Sequence, residues 1–494
     1  MKLNKLIDTN LDIDITSICT NSNEVIKGSM FICIKGFSAD RHDYIDDAIN
    51  KGAVFIITTK DVECSVPYIK VDDIDTVFRN VVDKFYDYPQ NKLKLIGITG
   101  TDGKTSTTTI IQTLIGKDKC GYLGTTGISY SDVYLETTNT TLAYDKLIMY
   151  FRKMVDSGIK YVSMEVSSEA LYYGRVDGLK FEAVGFTTIT SDHLNVHGTI
   201  ENYVNCKKQL FLQVKENGFS VLNKESKYYD EFKDISKGHI YSYGIDSDFS
   251  ISDKELYIDK TIFKFENNGI IYKVESPLVG EFNIYNLSLG LLICNLLGFN
   301  YKYLFNNIKN IKINGRVNIV KYNNNSIVID YAHTIDAMTN IINTFKNIKH
   351  NNMYIVFGCT GSRDKTKRPI MLKLATDSSK QVIVTSDDLH DEKFTDIVND
   401  MKEGLNNTNY TVIENRGDAI KKGIELLDNN DILLILGKGH EKYIIVGNNK
   451  IPFKKGLINK GLNFHNFCRT FNCDFISWCN CIYIFSLNFC TNRF

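Results

Sequence analysis

The sequence predicts an α/β protein of three domains. Three observations carry this: the length, a recurring strand-then-helix pattern, and a glycine loop placed where a buried strand meets a helix. At roughly 150 residues per domain, 494 residues suggest about three. Hydrophobic residues make up 43% of the chain, an ordinary share for a protein with proper cores.

The first block, 1–90, contains the β-rich run Met30-Phe-Ile-Cys-Ile34. An amphipathic stretch follows, with Tyr44, Ile45, Ala48 and Ile49 on one helical face. Gly52 ends that helix, and Ala53 to Thr58 reads as the next strand. The second block, 91–313, opens on the buried strand Leu93 to Ile98, then a glycine-bearing turn and a helix from about Lys104. Further strands are expected at Tyr161–Glu165 and Ala183–Thr187, in a mostly parallel sheet. Asn314-Gly315-Arg316 reads as a hinge because glycine loosens the backbone. The third block, 314–455, repeats strand and loop at Ile327–Asp330, Tyr354–Phe357, Val382–Thr385 and Leu433–Leu436. Each of these strands runs into polar or glycine residues, as expected where parallel strands present a ligand site at their C-terminal ends. No internal repeat or low-complexity linker is found.

Lys and Arg total 58, as do Asp and Glu, so net charge gives no reason to expect nucleic acid or an anionic membrane as partner. Met1 to Ile15 lacks the apolar core of a signal peptide, and no stretch reaches the ~20 apolar residues of a membrane span. Cys19, Cys33, Cys64, Cys120, Cys206, Cys294 and Cys359 are scattered singly, which suggests free thiols in a reducing cytoplasm. The stretch 456–494 holds the other five cysteines and the one tryptophan, Trp478. Its composition departs from all that precedes it, and it is expected to lie outside the fold, as a shifted reading frame would.

Thr99-Gly100-Thr101-Asp102-Gly103-Lys104-Thr105-Ser106 joins a strand to a helix. Such a loop turns backbone N–H groups and a helix N-terminus towards phosphate. Lys104 would neutralise the terminal phosphates of ATP, and the Thr105 hydroxyl would reach Mg²⁺. The strict phosphate-loop spacing is not met, because Ile98 occupies its first glycine position. Beyond the loop, Glu165 ends a strand, His193 follows in Ser191 to Thr199, and Lys207 lies in Tyr203 to Phe211. A carboxylate, an imidazole and loop hydroxyls suit divalent ions that hold ATP. Taken singly, Glu165 reads equally as a solvated strand end, His193 as a loop histidine and Lys207 as a surface lysine.

In order, these motifs resemble the Mur ligases. They run from the phosphate loop through Met164-Glu-Val-Ser-Ser168, Gly174-Arg-Val176, Asp192-His-Leu-Asn-Val-His-Gly-Thr199 and Tyr203 to Phe211. Asp330-Tyr-Ala-His-Thr334, Gly358 to Pro369 and Gly437-Lys-Gly-His-Glu441 resemble the muramyl-tripeptide synthetases of that family. The resemblance covers about Asn21 to Pro452. It implies a small N-terminal UDP-binding domain, a central ATPase domain and a C-terminal Rossmann-like domain. It also implies ligation of a third amino acid, meso-2,6-diaminopimelate or L-lysine, to UDP-N-acetylmuramoyl-L-alanyl-D-glutamate through an acyl phosphate. ATP and Mg²⁺ would be needed, and a cytoplasmic monomer is expected.

By the same resemblance, Lys104, Glu165, His193 and Lys207 are catalytic, and Thr105, Glu165, His193 and carbamylated Lys207 hold metal. Gly100 to Ser106, Asn286, Arg316 and Asp330 take ATP. Ser22, Phe37, Ser38, Ala39, Asn139, Thr140, Thr141, Ser167 and Arg175 take the UDP substrate. Arg363, Asp387, Asp388, His390, Gly437 and Glu441 take the amino acid. The chain departs from the family pattern at Asp102 (usually Asn), Glu169 (usually His) and Ile335 (usually Pro). At Asp387-Asp388-Leu389-His390 the diaminopimelate enzymes carry an arginine in the last place, whose bidentate fork histidine cannot reproduce. Gly437 to Glu441 nevertheless has the form found in those enzymes. Two alternatives stand beside this reading: a Mur-like nucleotide-binding protein impaired in catalysis, and a folylpolyglutamate-synthetase-like ligase.

Overall fold

The computed structural model describes residues 1–452 apart from 37, 38, 138, 191–193, 440, 442 and 448, and it leaves the side chains of 194, 195 and 452 undescribed. Phe37, Ser38, His193 and the expected tail 456–494 therefore lie outside the described residues. Contacts divide the chain into two compact units. One comprises 1–97, 116–183 and 213–218; the other comprises 98–115, 184–212 and the chain from 219 onwards.

In the first unit, β1 (Ser17–Cys19), β2 (Ser29–Ile32), β3 (Ala53–Thr58) and β4 (Tyr68–Lys70) form a parallel sheet in that order. Its apolar residues Phe31 and Ile56 pack with Ile45 and Ala48 of the helix Ile45–Asn50. Tyr44 departs from expectation. It closes a preceding 3₁₀ turn, out of phase with the helix, and is 39% exposed.

β5 (Lys94–Thr99) gives its first four residues to this unit. The order continues as β5-β9-β6-β7-β8, with β6 at Cys120–Gly124, β7 at Gly127–Tyr130, β8 at Val133–Leu135 and β9 at Tyr161–Glu165. β6 and β9 pair in parallel, while β6, β7 and β8 form an antiparallel meander.

β10 (Phe181–Phe186) lies beside β5 and gives 184–186 to the second unit, and β11 (Val214–Asn223) gives it 219–223; β12 (His239–Gly244), β13 (Phe249–Leu256), β14 (Thr261–Asn267) and β15 (Ile270–Ser276) follow within that unit. The β11–β13 pairs are parallel and the β13–β15 pairs antiparallel. The helix Glu281–Leu296 packs on Lys104–Ile115.

The last large sheet follows, with β16 (Asn318–Tyr322), β17 (Asn325–Asp330), β18 (Met353–Phe357), β19 (Gln381–Val384), β20 (Tyr410–Val412) and β21 (Ile432–Leu436). They are ordered β16-β17-β21-β18-β19-β20, and all pairs are parallel except β16 with β17. A strand alternates its side chains between faces. Here Val328, Ile355, Val382 and Leu434 enter one apolar cluster, while Ile327, Val356, Ile383 and Leu433 enter another. Both faces are therefore buried, which explains the continuous apolar runs in these strands. β22 (Tyr443–Val446) and β23 (Asn449–Pro452) form a closing hairpin.

Candidate active site

In the second unit, the phosphate loop leaves β5 and enters the helix Lys104–Ile115. Gly100 and Gly103 sit at φ +149° and +86°, a region that L side chains avoid. A Cβ on Gly100 would lie 1.8 Å from Thr187 Oγ1, and one on Gly103 would lie 2.5 Å from Asn286 Oδ1. The backbone of the loop is thus packed directly on the end of β10 and on the helix Glu281–Leu296. Thr101 N donates to Thr188 O (2.7 Å), and Thr187 Oγ1 donates to Asp102 O (2.6 Å). The Lys104 ammonium donates to the carbonyls of Gly100 (2.9 Å) and Thr101 (2.7 Å).

Lys207 is not a surface lysine. It is 1% exposed, and its Nζ donates to Gly100 O (2.8 Å), 4.5 Å from the Tyr203 ring centroid. The Tyr203 hydroxyl shares a hydrogen bond with that of Thr101 (3.0 Å). The ammonium groups of two lysines therefore converge on one loop carbonyl.

Asn286 accepts from Thr107 Oγ1 (3.5 Å) and donates to Asn283 Oδ1 (3.1 Å). The Arg316 guanidinium lies 4.3 Å from the Tyr331 ring centroid, with Nη2 3.5 Å from Thr105 Oγ1. Asp330 accepts from Val317 N (2.8 Å) and Ala332 N (2.7 Å), and burial pushes its carboxyl up against the opposing pull of Arg316. Val317 holds φ +47°, a genuine outlier for a β-branched residue, at the expected hinge. The Asp102 carboxylate accepts from Thr334 Oγ1 (3.4 Å). Thr334 in turn caps the helix Ile335–Lys346 by accepting from Ala337 N. The helix N-terminus thus offsets the charge that would sit awkwardly in a phosphate loop.

In the first unit, Glu165 is 1% exposed at the end of β9, so it is no solvated strand end. Its Oε1 accepts from Tyr122 OH and Thr125 N (both 2.8 Å), and its Oε2 from Thr125 Oγ1 (3.2 Å). Thr141 Oγ1 donates to Glu165 O (2.9 Å), and Arg175 Nη1 donates to Thr141 O (3.1 Å). Thr125 and Thr140 share a hydrogen bond (3.1 Å), and Ser167 caps the helix Ser168–Tyr172, whose first turn holds Glu169. Glu165, Thr140, Thr141, Ser167 and Arg175 are thereby brought together, with Asn139 exposed beside them. Ser22 is buried beside β1, and Ala39 O accepts from Gly36 N (3.0 Å).

Asp387, Asp388 and His390 follow the C-terminal end of β19, and Gly437 and Glu441 follow that of β21, while no contact among the described residues joins Arg363 to them. Lys438, which sequence reasoning did not single out, lies at their centre. It is 3% exposed and pairs with Asp388 (2.7 Å), Glu441 and Asp387 (3.8 Å). Burial pulls its ammonium down, but Asp387, Glu441 and Asp388 outweigh it and hold the charge. Burial pushes the Glu441 carboxyl up, opposed by Lys438. Arg416, also missed, is buried and donates to Ser386 O (3.1 Å) and Leu436 O (2.6 Å). His390 sits at φ +49°, its N donating to Ile445 O (3.1 Å), and Arg363 is exposed. A single basic letter in a glycine-rich motif gave no sign of Lys438's three carboxylate partners. Arg416 lies in no motif.

Three family descriptions match the chain in order: the Mur ligase family catalytic domain at residues 14–87, the Mur ligase middle domain at 98–294 and the Mur ligase glutamate ligase domain at 315–439. A UDP-N-acetylmuramoyl-L-alanyl-D-glutamate–2,6-diaminopimelate ligase of Fusobacterium nucleatum is 40% identical, covering 91% of this chain and 94% of that protein. The same-named ligase of Geobacillus thermodenitrificans is 36% identical, covering 89% and 93%. A solved structure of a ligase of that name shares 27% identity with a TM-score of 0.65, covering 92% and 96%. A Thermotoga maritima MurF ligase in complex with ADP shares the fold at 19% identity and TM-score 0.61, covering 85% and 93%. Identity at this level, sustained through all three matched regions, decides the matter: the chain belongs to the Mur ligase family of ATP-dependent, amide-bond-forming enzymes.

Proposed function

We propose that the enzyme joins meso-2,6-diaminopimelate to UDP-N-acetylmuramoyl-L-alanyl-D-glutamate, converting ATP to ADP and phosphate. The observation that carries this reading is the 40% identity, over 91% of the chain, with a relative named for that reaction. The glutamate carboxylate is a poor electrophile. It first attacks the γ-phosphorus of ATP, forming an acyl phosphate as ADP departs. The amine of the incoming amino acid then adds to the acyl carbon, loses a proton and expels phosphate.

Positioning and charge neutralisation carry such a transfer. The loop N–H groups and Lys104 hold the phosphates, and Asn286, Arg316 and Asp330 serve the nucleotide. Thr105 and Glu165 each offer a hard oxygen of the kind Mg²⁺ prefers, and His193 and Lys207 are assigned to the same role, Lys207 as its carbamate. When bound, Mg²⁺ neutralises charge on the phosphates. Ser22, Phe37, Ser38 and Ala39 take the uridine end. Asn139, Thr140, Thr141, Ser167 and Arg175 take the muramyl peptide. Arg363, Asp387, Asp388, His390, Gly437 and Glu441 take the amino acid.

L-Lysine is the second reading, favoured by His390 and by three carboxylates gathered about one lysine, an environment that suits a distal ammonium better than a distal carboxylate. No helix of the described residues is long and apolar enough to cross a membrane, and we assign the enzyme to the cytoplasm as a monomer. Phosphate release from ATP with the muramyl dipeptide and diaminopimelate, L-lysine or L-ornithine in separate reactions tests the whole reading. Release that depends on the dipeptide and on diaminopimelate is expected. No release with any amine would overturn the assignment.

A further inference from the structure

A buried ion cluster that no role above uses stands beside two loops of the C-terminal sheet. Arg368, in the helix Lys367–Ser378, is 0% exposed. Its Nη1 donates to Glu392 Oε2 (2.9 Å) and Asp400 Oδ2 (2.6 Å). Its Nη2 donates to Glu392 Oε1 (3.1 Å) and to the carbonyl of Thr360 (3.1 Å). The guanidinium thus grips both oxygens of Glu392, the bidentate geometry that suits it. Exposed Lys365 adds a contact to Glu392 (3.3 Å) and a longer one to Asp400 (3.9 Å). Arg368 above all holds the Glu392 carboxyl down at about 2, against the opposing effect of burial.

The bonds of this cluster end on loop backbone. Glu392 Oε1 also accepts from Ser362 N (2.6 Å), and Glu392 N donates to Leu389 O (3.0 Å). Ser362 sits at φ +54°, a conformation that a residue other than glycine adopts at a cost, and the bond to Glu392 holds it there. Gly361 N donates to Asp388 O (2.7 Å), and a Cβ on Gly361 would lie 2.0 Å from Leu389 O. The loop after β18 is therefore seated, backbone to backbone, on the loop after β19. Exchanging a whole buried ion pair for apolar side chains is often neutral or stabilising. The distinctive effect of this cluster is therefore geometric: it fixes one loop against the other.

We propose that Arg368 and Glu392 are positioning residues, which fix the 360–363 loop against the Asp387-Asp388 loop and so set the place of Arg363 for the incoming amino acid. The inference rests on the substrate reading above, which gives Arg363, Asp387 and Asp388 to that amino acid. Arg363 is exposed, so the backbone beneath it determines where its guanidinium can reach. A loop held in place beforehand meets its ligand without being ordered on binding. The gain falls on affinity for the amino acid rather than on the chemical step.

The test is steady-state phosphate release by the full chain with ATP, the muramyl dipeptide and either diaminopimelate or L-lysine. Glu392→Ala removes the acceptor of Ser362 N and the anchor of Arg368. Its KM for the amino acid should rise about tenfold, the size of one lost charge-assisted hydrogen bond. Its kcat and its KM for ATP should stay within about twofold of the parent. Glu392→Gln keeps an oxygen for Ser362 N and should recover KM to within about threefold. Asp400→Asn disturbs the same guanidinium without touching the Ser362 bond, and should leave KM for the amino acid within about twofold. Arg368→Lys keeps the charge but not the fork that reaches Glu392 and Thr360 together, so its KM for the amino acid should rise about threefold or more. It carries the test if Glu392→Ala does not fold. An unchanged KM for the amino acid in these two variants would overturn the proposal. So would an equal rise in KM for ATP, or a rise in Asp400→Asn as large as in Glu392→Ala, since either marks general loosening. If the parent itself shows no dipeptide-dependent release with either amine, the substrate reading has failed and the proposal falls with it.

Discussion

Replacing Lys438 by methionine should cost more stability than its place in the proposed amino-acid site suggests. Lys438 is 3% exposed and pairs with Asp388, Glu441 and Asp387, of which Asp388 also accepts from Ile445 N (2.8 Å). Methionine keeps most of the volume but leaves a group of poorly solvated carboxylates without their cation. Breaking one side of such a buried pair costs about 3–5 kcal/mol. At about 4 °C per kcal/mol for a domain of this size, the C-terminal domain should unfold roughly 10–20 °C lower by calorimetry at pH 8.

The effect should also depend on pH with a definite sign. Burial raises the folded pKa of Glu441 above its unfolded value. An acid of that kind imposes no penalty while both states are protonated. The penalty grows as pH rises through the unfolded pKa and is complete above the folded one. Without Lys438 the folded pKa rises further, so the gap between variant and parent should narrow at pH 5 and be widest at pH 8. Asp388→Asn in the Lys438→Met background should recover part of the loss. An unfolding temperature within 1 °C of the parent at pH 8 would refute the reasoning.

Three other substitutions probe the catalytic parts. Gly100→Ala would set a Cβ 1.8 Å from Thr187 Oγ1 and 2.9 Å from Thr188 O at φ +149°, so the loop must shift. Displacements of that order cost about 100-fold in turnover, and unchanged phosphate release would contradict the close packing. Glu165→Gln can keep an oxygen for the Tyr122 hydroxyl and Thr125 N–H, which both donate to Oε1, but it removes the negative charge and sets an amide N–H against the Thr125 hydroxyl at Oε2. Circular dichroism should show the fold retained while kcat falls about 100-fold or more, and activity near the parent's would remove Glu165 from the reaction. Asp102→Asn removes a negative charge from the phosphate loop, so KM for ATP should fall about two- to fivefold, the more so at low salt. A rise instead would show that the contact from Thr334 to the charged carboxylate matters more than the repulsion.

The phosphate loop and the C-terminal strands were legible because each is decided locally. A glycine pair before a helix and apolar runs ending in polar residues require only neighbours in sequence. β9 spans Tyr161–Glu165 and β3 spans Ala53–Thr58, as the patterns predict. Tyr44 was misplaced because the helical period was extended one residue back across a 3₁₀ turn. The environments of Glu165, Lys207 and Lys438 could not be read this way. Glu165 is held by Tyr122 and Thr125, about forty positions upstream, and Lys207 by Gly100, 107 positions away. Lys438 meets Asp388 across 50 residues. A lysine in a helical pattern looks solvated until the chain's return supplies the carbonyl that receives it.

Asp102 shows how a local departure is absorbed by the wider fold. Read alone, a carboxylate among phosphate-binding N–H groups argues for impaired catalysis. In the fold its side chain turns to Thr334, the cap of a twelve-residue helix, where the partial positive charge of the unsatisfied N–H groups favours an anion. Arg316 meets the same loop from the same side of the sequence, its Nη2 3.5 Å from Thr105 Oγ1. One helix end and one guanidinium from the C-terminal region therefore bear on the charge of the loop. Lys104, which is assigned to the phosphates, points its ammonium group at Gly100 O instead. The negative charge is drawn to one place and the positive charge to another, so the substitution leaves the phosphate-facing groups intact. On that ground the active enzyme is the better reading than a nucleotide-binding relic.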